Sequence, residues 1–355
     1  MSAPLQATVG FMPLLDCALL VAAHEAGIAA RHGLALRLVR ETSWANVRDR
    51  LAVGHFDAAQ MLGPMVVAEA LGLGPFRAPL LAPVSLGLGG NVITVSCELW
   101  SQMQVAGAAH GATPRTQAEA LARVIARRME QGQGALTLAM VFPYSCHHYQ
   151  LRDWLALSGI DADRDVRLVV LPPSLLADAL RLGQVDGFCA GEPWGSIAVD
   201  AGSGVIVALC NDMWEQPTEK VIGLRADRAE RQPELVTALV RSVVDAARWA
   251  SDARNRDALV GWLAEPRYVG ARPALLHAAL AGELRMAIDT APVTRAGFLQ
   301  LDVAATRPEP RYADLICEHM VRCGQVTDSA ATRTRARAAF RNDLYSKALD
   351  TKEDN

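Results

Sequence analysis

The pattern of apolar and polar positions in the first part of the chain recurs about 130 residues later. In each copy, an apolar strand-like run and a polar turn precede a longer apolar run with helical spacing. A second strand-like run follows, at 36–39 in the first copy and at 166–169 in the second. The match continues through residues 47–57 and 176–186, where a helix-like segment with a glycine near its end leads into a third strand. This repetition predicts that each copy forms a β-α-β-α-β unit.

Two copies of such a unit predict an α/β protein with two related lobes that face one another. In open parallel sheets, ligands bind beyond the carboxyl ends of the strands, where the N-termini of helices point. We therefore expect the binding residues to follow the strands directly and to line a cleft between the lobes.

The β-branched run at 91–95 is interpreted as the first strand of the second lobe. The chain is expected to cross back after the second repeat. Two crossings imply a hinge, which would let the lobes open and close about a ligand. The predicted organisation is lobe one at 1–92 and 195–355, lobe two at 93–194, and hinge crossings near 91–95 and 188–194.

Composition and charge narrow the classes of function. The chain has 355 residues and is 51% hydrophobic, so it can bury two cores, and its net charge of -3 gives no reason to expect direct binding to nucleic acid. Seven scattered cysteines without a C-x-x-C pair are typical of reduced thiols and argue against a zinc site. We find neither a signal-peptide pattern nor a membrane-spanning apolar run, and we expect a cytoplasmic protein with no membrane contact.

The sequence lacks the G-x-x-x-x-G-K-[ST], H-E-x-x-H and G-x-S-x-G motifs. We therefore expect no catalytic residues, no cofactor and no metal. Hydrogen-bond donors instead stand at predicted strand ends and helix starts, and one of them is a cation. A set of donors with a cation suits a small oxyanion. The candidate ligand-binding residues are Trp44, Gln60, Asn91, His147 and Lys220, with His148 beside His147.

These candidates also have ordinary structural interpretations, which the pattern alone leaves open. Trp44 follows a serine at a predicted helix start and could simply pack on the first lobe. His147 stands where the first copy has Cys17, and it could be a histidine whose partners are all within the protein. Lys220 could form a solvated ion pair of small energetic weight with its neighbour Glu219.

Five strings of residues are distinctive when they are taken together. They are Ser43-Trp44-x-x-Val47-Arg48-Asp49, Asp57 to Met65, His147 with Arg152 to Leu155, Val185 to Trp194, and Pro217 to Gly223. Through these strings the sequence resembles the nitrate-binding and bicarbonate-binding proteins of ABC transporters, from Val9 to about Gln325. The resemblance implies a two-lobe, periplasmic-binding-protein-like fold of type II with a ligand cleft between the lobes.

The resemblance places Trp44, Asn91, His147 and Lys220 around the anion. The family more often has glutamine at the position of Asn91, whose shorter amide keeps the donor but reaches less far. In bicarbonate binders, an acidic residue with bound calcium is expected near the position of Lys220. Bicarbonate has a hydroxyl that needs an acceptor, whereas nitrate only accepts hydrogen bonds. Lysine here therefore favours nitrate or nitrite, and we expect no carboxylate opposite the anion.

Within the family, the resemblance is closest to the cytoplasmic sensor branch of the NasS type, because the transporter proteins need an export signal or lipid anchor. It implies a nitrate- or nitrite-binding regulator of nitrate assimilation. Such a sensor holds an ANTAR-type RNA-binding antiterminator, of the NasT type, inactive until the ligand binds. One alternative is the solute-binding protein of a nitrate or bicarbonate ABC transporter. Another is an enzyme of thiamine-precursor or sulfonate chemistry that uses Cys146 and His147, although neighbouring helix residues point in different directions.

Overall fold

The computed structural model describes residues 3–76, 78–215 and 219–350. Contacts between distant parts of the sequence divide the chain into two compact units. Unit 1 comprises Met1–Leu88, Pro217–Gly270 and Gln300–Asn355, and unit 2 comprises Gly89–Gln216 and Ala271–Leu299. Pro217 and Thr218, which open the last string of the family resemblance, lie outside the described residues.

The strands are short, and most are buried. They are β1 (Leu5–Phe11), β2 (Leu34–Arg40), β3 (Ala58–Leu62), β4 (Leu80–Ser85), β5 (Leu88–Gly89), β6 (Asn91–Ser96), β7 (Leu136–Met140), β8 (Val166–Val170), β9 (Gly187–Gly191), β10 (Gly204–Leu209), β11 (Lys220–Arg225), β12 (Glu283–Leu284), β13 (Val293–Thr294) and β14 (Leu299–Gln300).

The helices alternate with these strands in both units and dominate the later part of the chain. They are α1 (Ala18–Glu25), α2 (Ile28–Arg31), α3 (Trp44–Ala52), α4 (Gly63–Leu71), α5 (Cys97–Val105), α6 (Pro114–Glu130), α7 (Cys146–Ala156), α8 (Leu176–Arg181), α9 (Trp194–Asp200), α10 (Ala226–Arg231), α11 (Pro233–Ser251), α12 (Arg256–Leu263), α13 (Pro273–Ala281), α14 (Pro310–Arg322), α15 (Ala330–Ala338) and α16 (Asn342–Asp350).

Each unit is built on a five-stranded sheet, and the predicted repeat is confirmed by the way these sheets pair. The sheet of unit 1 has the order β2-β1-β3-β11-β4, and that of unit 2 has the order β10-β6-β9-β7-β8. In unit 1, β1 pairs in parallel with β2 and β3. In unit 2, β7 pairs in parallel with β8 and β9 in the same way. The α/β fold class predicted from the sequence is therefore correct.

The repeat extends to individual hydrogen bonds at the start of the third strand of each copy. The Asp57 carboxylate accepts the Thr8 amide at 2.8 Å, and the Asp57 amide donates to the Thr8 carbonyl at 2.9 Å. The Asp186 carboxylate accepts the Thr137 amide at 2.7 Å, and its amide donates to the Thr137 carbonyl at 2.8 Å. Each aspartate thus connects the residue just before the third strand of its copy to the first strand of that copy.

The two units have separate cores. In unit 1, the long helix α11 presents an apolar side to α1 and α16, and most of its Leu, Val and Ala side chains are buried. In unit 2, a continuous apolar cluster joins β6, β7 and β9 to α5, α6 and α7, and Trp100 and Trp154 are its largest members. Within the described ranges, the structure has no helix with the length and apolarity that a membrane crossing requires.

The predicted and observed positions differ for the boundary at which the chain returns from unit 2 to unit 1. The first boundary lies at Gly89, close to the predicted crossing, but the second lies after Gln216 instead of near 188–194. The chain stays in unit 2 because β10 pairs antiparallel with β6 and completes the sheet of that unit. Residues 271–299 also belong to unit 2, partly because the Ile206 amide donates to the Met286 carbonyl at 2.8 Å. Such contacts join distant segments, and a local pattern does not reveal them.

Candidate functional site

Lys220 opens β11, as the sequence predicts, but its surroundings are not those of a surface lysine. The side chain is fully buried, and its Nζ lies 2.9 Å from Oδ2 of Asp16. The neighbouring carboxylate of Glu219 is also buried, and its Oε2 lies 3.9 Å from the same Nζ. The interpretation of Lys220 and Glu219 as a solvated ion pair is therefore wrong, because water is excluded from the lysine.

Asp16 is a site residue that sequence reasoning missed. It lies in the short 3-10 turn at Leu15–Cys17, between β1 and α1, and is nearly buried. Burial raises the pKa of its carboxyl, and the contacts with Lys220 and Gln60 oppose that rise. The signal in the sequence was a single acidic residue inside an otherwise apolar stretch, because a buried acid needs a partner.

Gln60 lies within β3 rather than after its end, and it positions Asp16. Its Oε1 accepts the backbone N–H of Met12 at 2.8 Å, which fixes the orientation of the amide. Its Nε2 consequently donates to Oδ1 of Asp16. Gln60 was predicted to bind the ligand, but the structure commits its oxygen and one of its amide hydrogens to the protein.

These contacts correct the expectation that no carboxylate lies near the cationic candidate. Asp16 and Glu219 both face Lys220, so this part of unit 1 offers acceptors as well as donors. The preference for nitrate over bicarbonate rested on the absence of a hydrogen-bond acceptor near the cation. Because Asp16 and Glu219 lie there, that argument no longer applies as it was stated.

Trp44 is the first residue of α3, and Ser43 caps this helix by accepting the Asn46 amide at 3.2 Å. The indole is buried, as the packing interpretation requires. Its N–H, however, finds no acceptor anywhere in the described part of the chain. A buried donor without an acceptor costs about 1–3 kcal/mol, so packing alone does not account for a tryptophan here.

In unit 2, Asn91 is the first residue of β6 and is fully buried. Its Nδ2 donates to Oε1 of Gln150 at 2.8 Å, and its Oδ1 accepts no hydrogen bond from the described residues. Gln150 was not predicted. It lies on α7 three residues after His147, so the two side chains share one side of that helix.

His147 is the second residue of α7 and is fully buried, whereas the adjacent His148 is engaged elsewhere. Nδ1 of His148 donates to the Pro143 carbonyl at 2.7 Å, and burial lowers the pKa of His148, which favours its neutral form. Ser145 caps α7 by accepting the His148 amide at 3.1 Å. His147 therefore lies in the first turn of a helix, where the backbone dipole favours an anion.

Glu192, in the distinctive string that ends at Trp194, is a second acidic residue that the sequence prediction missed. Its side chain is buried, and Oε2 accepts the Ser196 amide at 3.2 Å. Oε1 has no donor among the residues described. Burial raises the pKa of Glu192 to about 7, so the carboxyl is partly protonated near neutral pH.

Over residues 3–76, 78–215 and 219–350, the structure contains no group of three or more His, Cys, Asp or Glu side chains that could hold a metal ion. Unit 1 carries the polar side chains of Trp44, Lys220, Asp16 and Gln60. Unit 2 carries those of Asn91, Gln150 and His147. Donors predominate, and buried carboxylates accompany the cation.

Comparison with known proteins finds a matching family and several relatives. Residues 2–264 match the NMT1-like family. The chain is 37% identical to the nitrate import ATP-binding protein NrtC of Synechocystis sp. PCC 6803 over 74% of its length and 37% of that protein's length. It is 35% identical to the bicarbonate transport ATP-binding protein CmpC of Synechococcus elongatus PCC 7942, over 74% of the chain and 38% of that protein. The match thus spans less than half of either relative.

The fold is similar to that of a solved binding protein. The periplasmic nitrate-binding protein NrtA from Synechocystis PCC 6803 superposes with a TM-score of 0.90 at 23% identity, over 99% of this chain and 89% of that one. This similarity confirms the predicted two-lobe fold of periplasmic binding proteins.

We predict that pH alters stability through Glu192. Its pKa of about 7 in the folded protein exceeds the ordinary value of 4.5. Between these two pKa values, the folded protein holds a proton that the unfolded chain has released. The free energy of unfolding therefore falls as the pH rises. The loss is on the order of 3 kcal/mol. It should appear in urea denaturation of the wild-type protein and be absent from Glu192→Gln, which stays neutral.

Glu98→Gln, at an exposed position of α5, serves as the control, because an exposed carboxyl is not subject to the burial that acts on Glu192. The stability difference between wild type and Glu192→Gln should grow from about pH 5 to about pH 7 and then level off. A stability difference between wild type and Glu192→Gln that stays constant across this pH range would contradict the raised pKa of Glu192.

Proposed function

We propose that this chain, which belongs to the NMT1-like family, binds a small oxyanion, nitrate or nitrite, without chemical turnover. The observation that carries the proposal is the complete burial of the Lys220 ammonium. A buried cation is costly, and it is retained where it has a specific anionic partner. Lys220 has Asp16 as an internal partner and is the cation that an incoming oxyanion would share.

The other candidates supply the directional part of recognition. The Trp44 N–H is a buried donor that no described residue accepts, and nitrate offers three acceptor oxygens. In unit 2, Asn91 keeps a second amide hydrogen beyond the one given to Gln150, and His147 lies in the first turn of α7. The names of NrtC and NrtA support nitrate as the ligand.

Bicarbonate is the second candidate ligand, and Asp16 is the observation that favours it. Its carboxylate could accept the bicarbonate hydroxyl, and CmpC is named for bicarbonate transport. Two contacts argue the other way, because Lys220 and Gln60 already occupy both Asp16 oxygens. Burial also raises the pKa of the Asp16 carboxyl above its usual value.

Calorimetric titration tests the proposal. We predict that nitrate and nitrite bind and that bicarbonate binds more weakly, with or without calcium. The Lys220 charge is best removed in a pair, because Lys220→Met alone leaves Asp16 buried and unpaired. Adding Lys220→Met to an Asp16→Asn protein should weaken nitrate binding by about 30-fold to several thousand-fold, since a desolvated charge contact contributes about 2–5 kcal/mol.

Asp16→Asn alone is the matched control, because it keeps the lysine charge. Bicarbonate binding tighter than nitrate binding would replace nitrate by the second candidate. If Lys220→Met changed nitrate affinity by less than about threefold in the Asp16→Asn protein, Lys220 would be structural only.

Two buried tryptophans allow a paired test of the donor role. We predict that Trp44→Phe, which removes the N–H but keeps an aromatic ring, weakens nitrate binding by about 10-fold to 150-fold, the value of about 1.5–3 kcal/mol for a hydrogen bond to a charged group. The indole N–H of Trp154, in unit 2, donates to the Pro114 carbonyl at 3.0 Å. Trp154→Phe should therefore lower the urea midpoint and leave nitrate affinity unchanged. Equal affinity in wild type and Trp44→Phe would remove Trp44 from the site.

We further propose that the biological role is that of a cytoplasmic sensor of the NasS type, which binds an ANTAR-type RNA-binding antiterminator when nitrate and nitrite are absent. The residue strings of the resemblance support this role. The transporter role is the alternative, and it is supported by the names of the relatives.

The sensor role predicts that the ligand-free chain co-elutes with a purified antiterminator and that nitrate separates them. A ligand can shift this equilibrium only by its differential affinity for the free and complexed forms, and nearly complete release requires about 5.5 kcal/mol. Trp44→Phe should raise the nitrate concentration for half-release by the same factor as its dissociation constant. A complex that nitrate does not affect, or no complex at all, would favour the transporter role.

A further inference from the structure

The Lys220–Asp16 pair has a consequence for binding that follows from charge balance, and it rests on the proposed function. Before any ligand is bound, the lysine charge is already compensated by Asp16 at 2.9 Å, and Glu219 adds a second buried carboxyl at 3.9 Å. An oxyanion that contacts Lys220 therefore brings a further negative charge close to two acidic groups. Like charges at such distances strongly disfavour each other's ionised forms away from water.

The geometry around Asp16 shows how this conflict can be relieved. Oδ1 accepts the Gln60 amide, and that amide is fixed by the Met12 backbone, so Oδ1 stays an acceptor. Oδ2, which faces Lys220, is the oxygen that can gain a proton. A neutral Asp16 would leave the lysine charge for the anion, and its new O–H would be an additional donor.

We propose that Asp16 is a specificity-determining residue that takes up one proton when the oxyanion binds, so that nitrate enters together with a proton. The proton comes from solvent and forms an O–H bond at Oδ2 of Asp16. No other covalent bond forms or breaks. Lys220 Nζ then exchanges its partner Asp16 carboxylate for the anion, and the Asp16 hydroxyl donates to the anion or to a neighbouring acceptor.

Other charged groups around Asp16 fit this role less well. Burial raises the pKa of the neighbouring Cys17 thiol well above its usual range, so Cys17 stays protonated at neutral pH. Arg40, at the end of β2, acts electrostatically on Cys17, and its Nε donates to the Tyr268 carbonyl at 2.8 Å. Glu219 is the competing proton acceptor, but it lies farther from Lys220 than Asp16 does.

The proposal fixes the sign of the pH dependence. Burial already raises the pKa of Asp16 in the free protein, and the bound anion raises it further. Affinity should be constant below the free-state pKa, fall by up to about tenfold per pH unit between the free and bound values, and be constant again above the bound value. Bicarbonate should gain relative to nitrate as pH rises, because the ionised Asp16 is an acceptor.

Calorimetric titration with sodium nitrate, in buffers of different ionisation enthalpy at the same pH, counts the protons directly. The wild-type protein should take up close to one proton per nitrate within the pH window in which its affinity falls. Asp16→Asn should take up almost none, and its affinity should lose most of its pH dependence. Glu219→Gln and His147→Gln are the matched variants, and both should retain the uptake if they bind nitrate.

A spectroscopic measurement on the wild-type protein covers the case in which Asp16→Asn does not fold. Infrared difference spectra should show a protonated carboxyl band appearing when nitrate is added. Nitrate binding without proton uptake or this band would overturn the proposal, as would uptake that persists in Asp16→Asn or disappears instead in Glu219→Gln or His147→Gln. Failure of nitrate to bind at any pH would instead overturn the proposed function itself.

Discussion

The ion pair between Lys220 and Asp16 is the interaction on which the candidate site of unit 1 depends. Neither charge is stable in the interior alone, and each is held by a different part of the sheet. Asp16 follows β1, Lys220 opens β11, and Gln60 of β3 lies next to both in the pairing order and fixes the carboxylate. The sheet thus brings three distant segments of sequence into one polar cluster, and the free-energy cost of burying it is compensated only when all three are present.

A comparison of the two copies distinguishes residues with a shared structural role from residues that belong to the candidate site. Asp57 and Asp186 occupy equivalent positions and make the same pair of hydrogen bonds to Thr8 and Thr137, because both copies need the same junction between helix and strand. At the turn after the first strand, the copies diverge, and Asp16 and Cys17 stand where the second copy has Cys146 and His147. One copy therefore carries a carboxylate where the other carries a thiol, and the helix of the second copy begins with Cys146 followed by two histidines.

The features that could be predicted from sequence are those that depend on local periodicity. The strands, the repeated topology and the positions of Trp44, Asn91, His147 and Lys220 at the starts of helices or strands follow from apolar spacing and capping residues. The partners of these residues could not be predicted in the same way, because Asp16 lies 204 positions from Lys220. The return boundary was misplaced for a similar reason, since β10 joins β6 across a long segment.

The internal partner of Lys220 also bears on how tightly an anion can bind. If the chain binds nitrate as proposed, the free energy of binding is the difference between the nitrate contact and the Asp16 contact that it replaces, not the whole ion-pair energy. The smaller net free energy of binding would allow the anion to be released readily, which both a sensor and a transport protein require. With the proposed proton uptake, affinity would also depend on the protonation of Asp16, so the carboxyl that lowers the affinity of the site would also discriminate among oxyanions. A lysine without Asp16 would bind anions more tightly and with less selectivity.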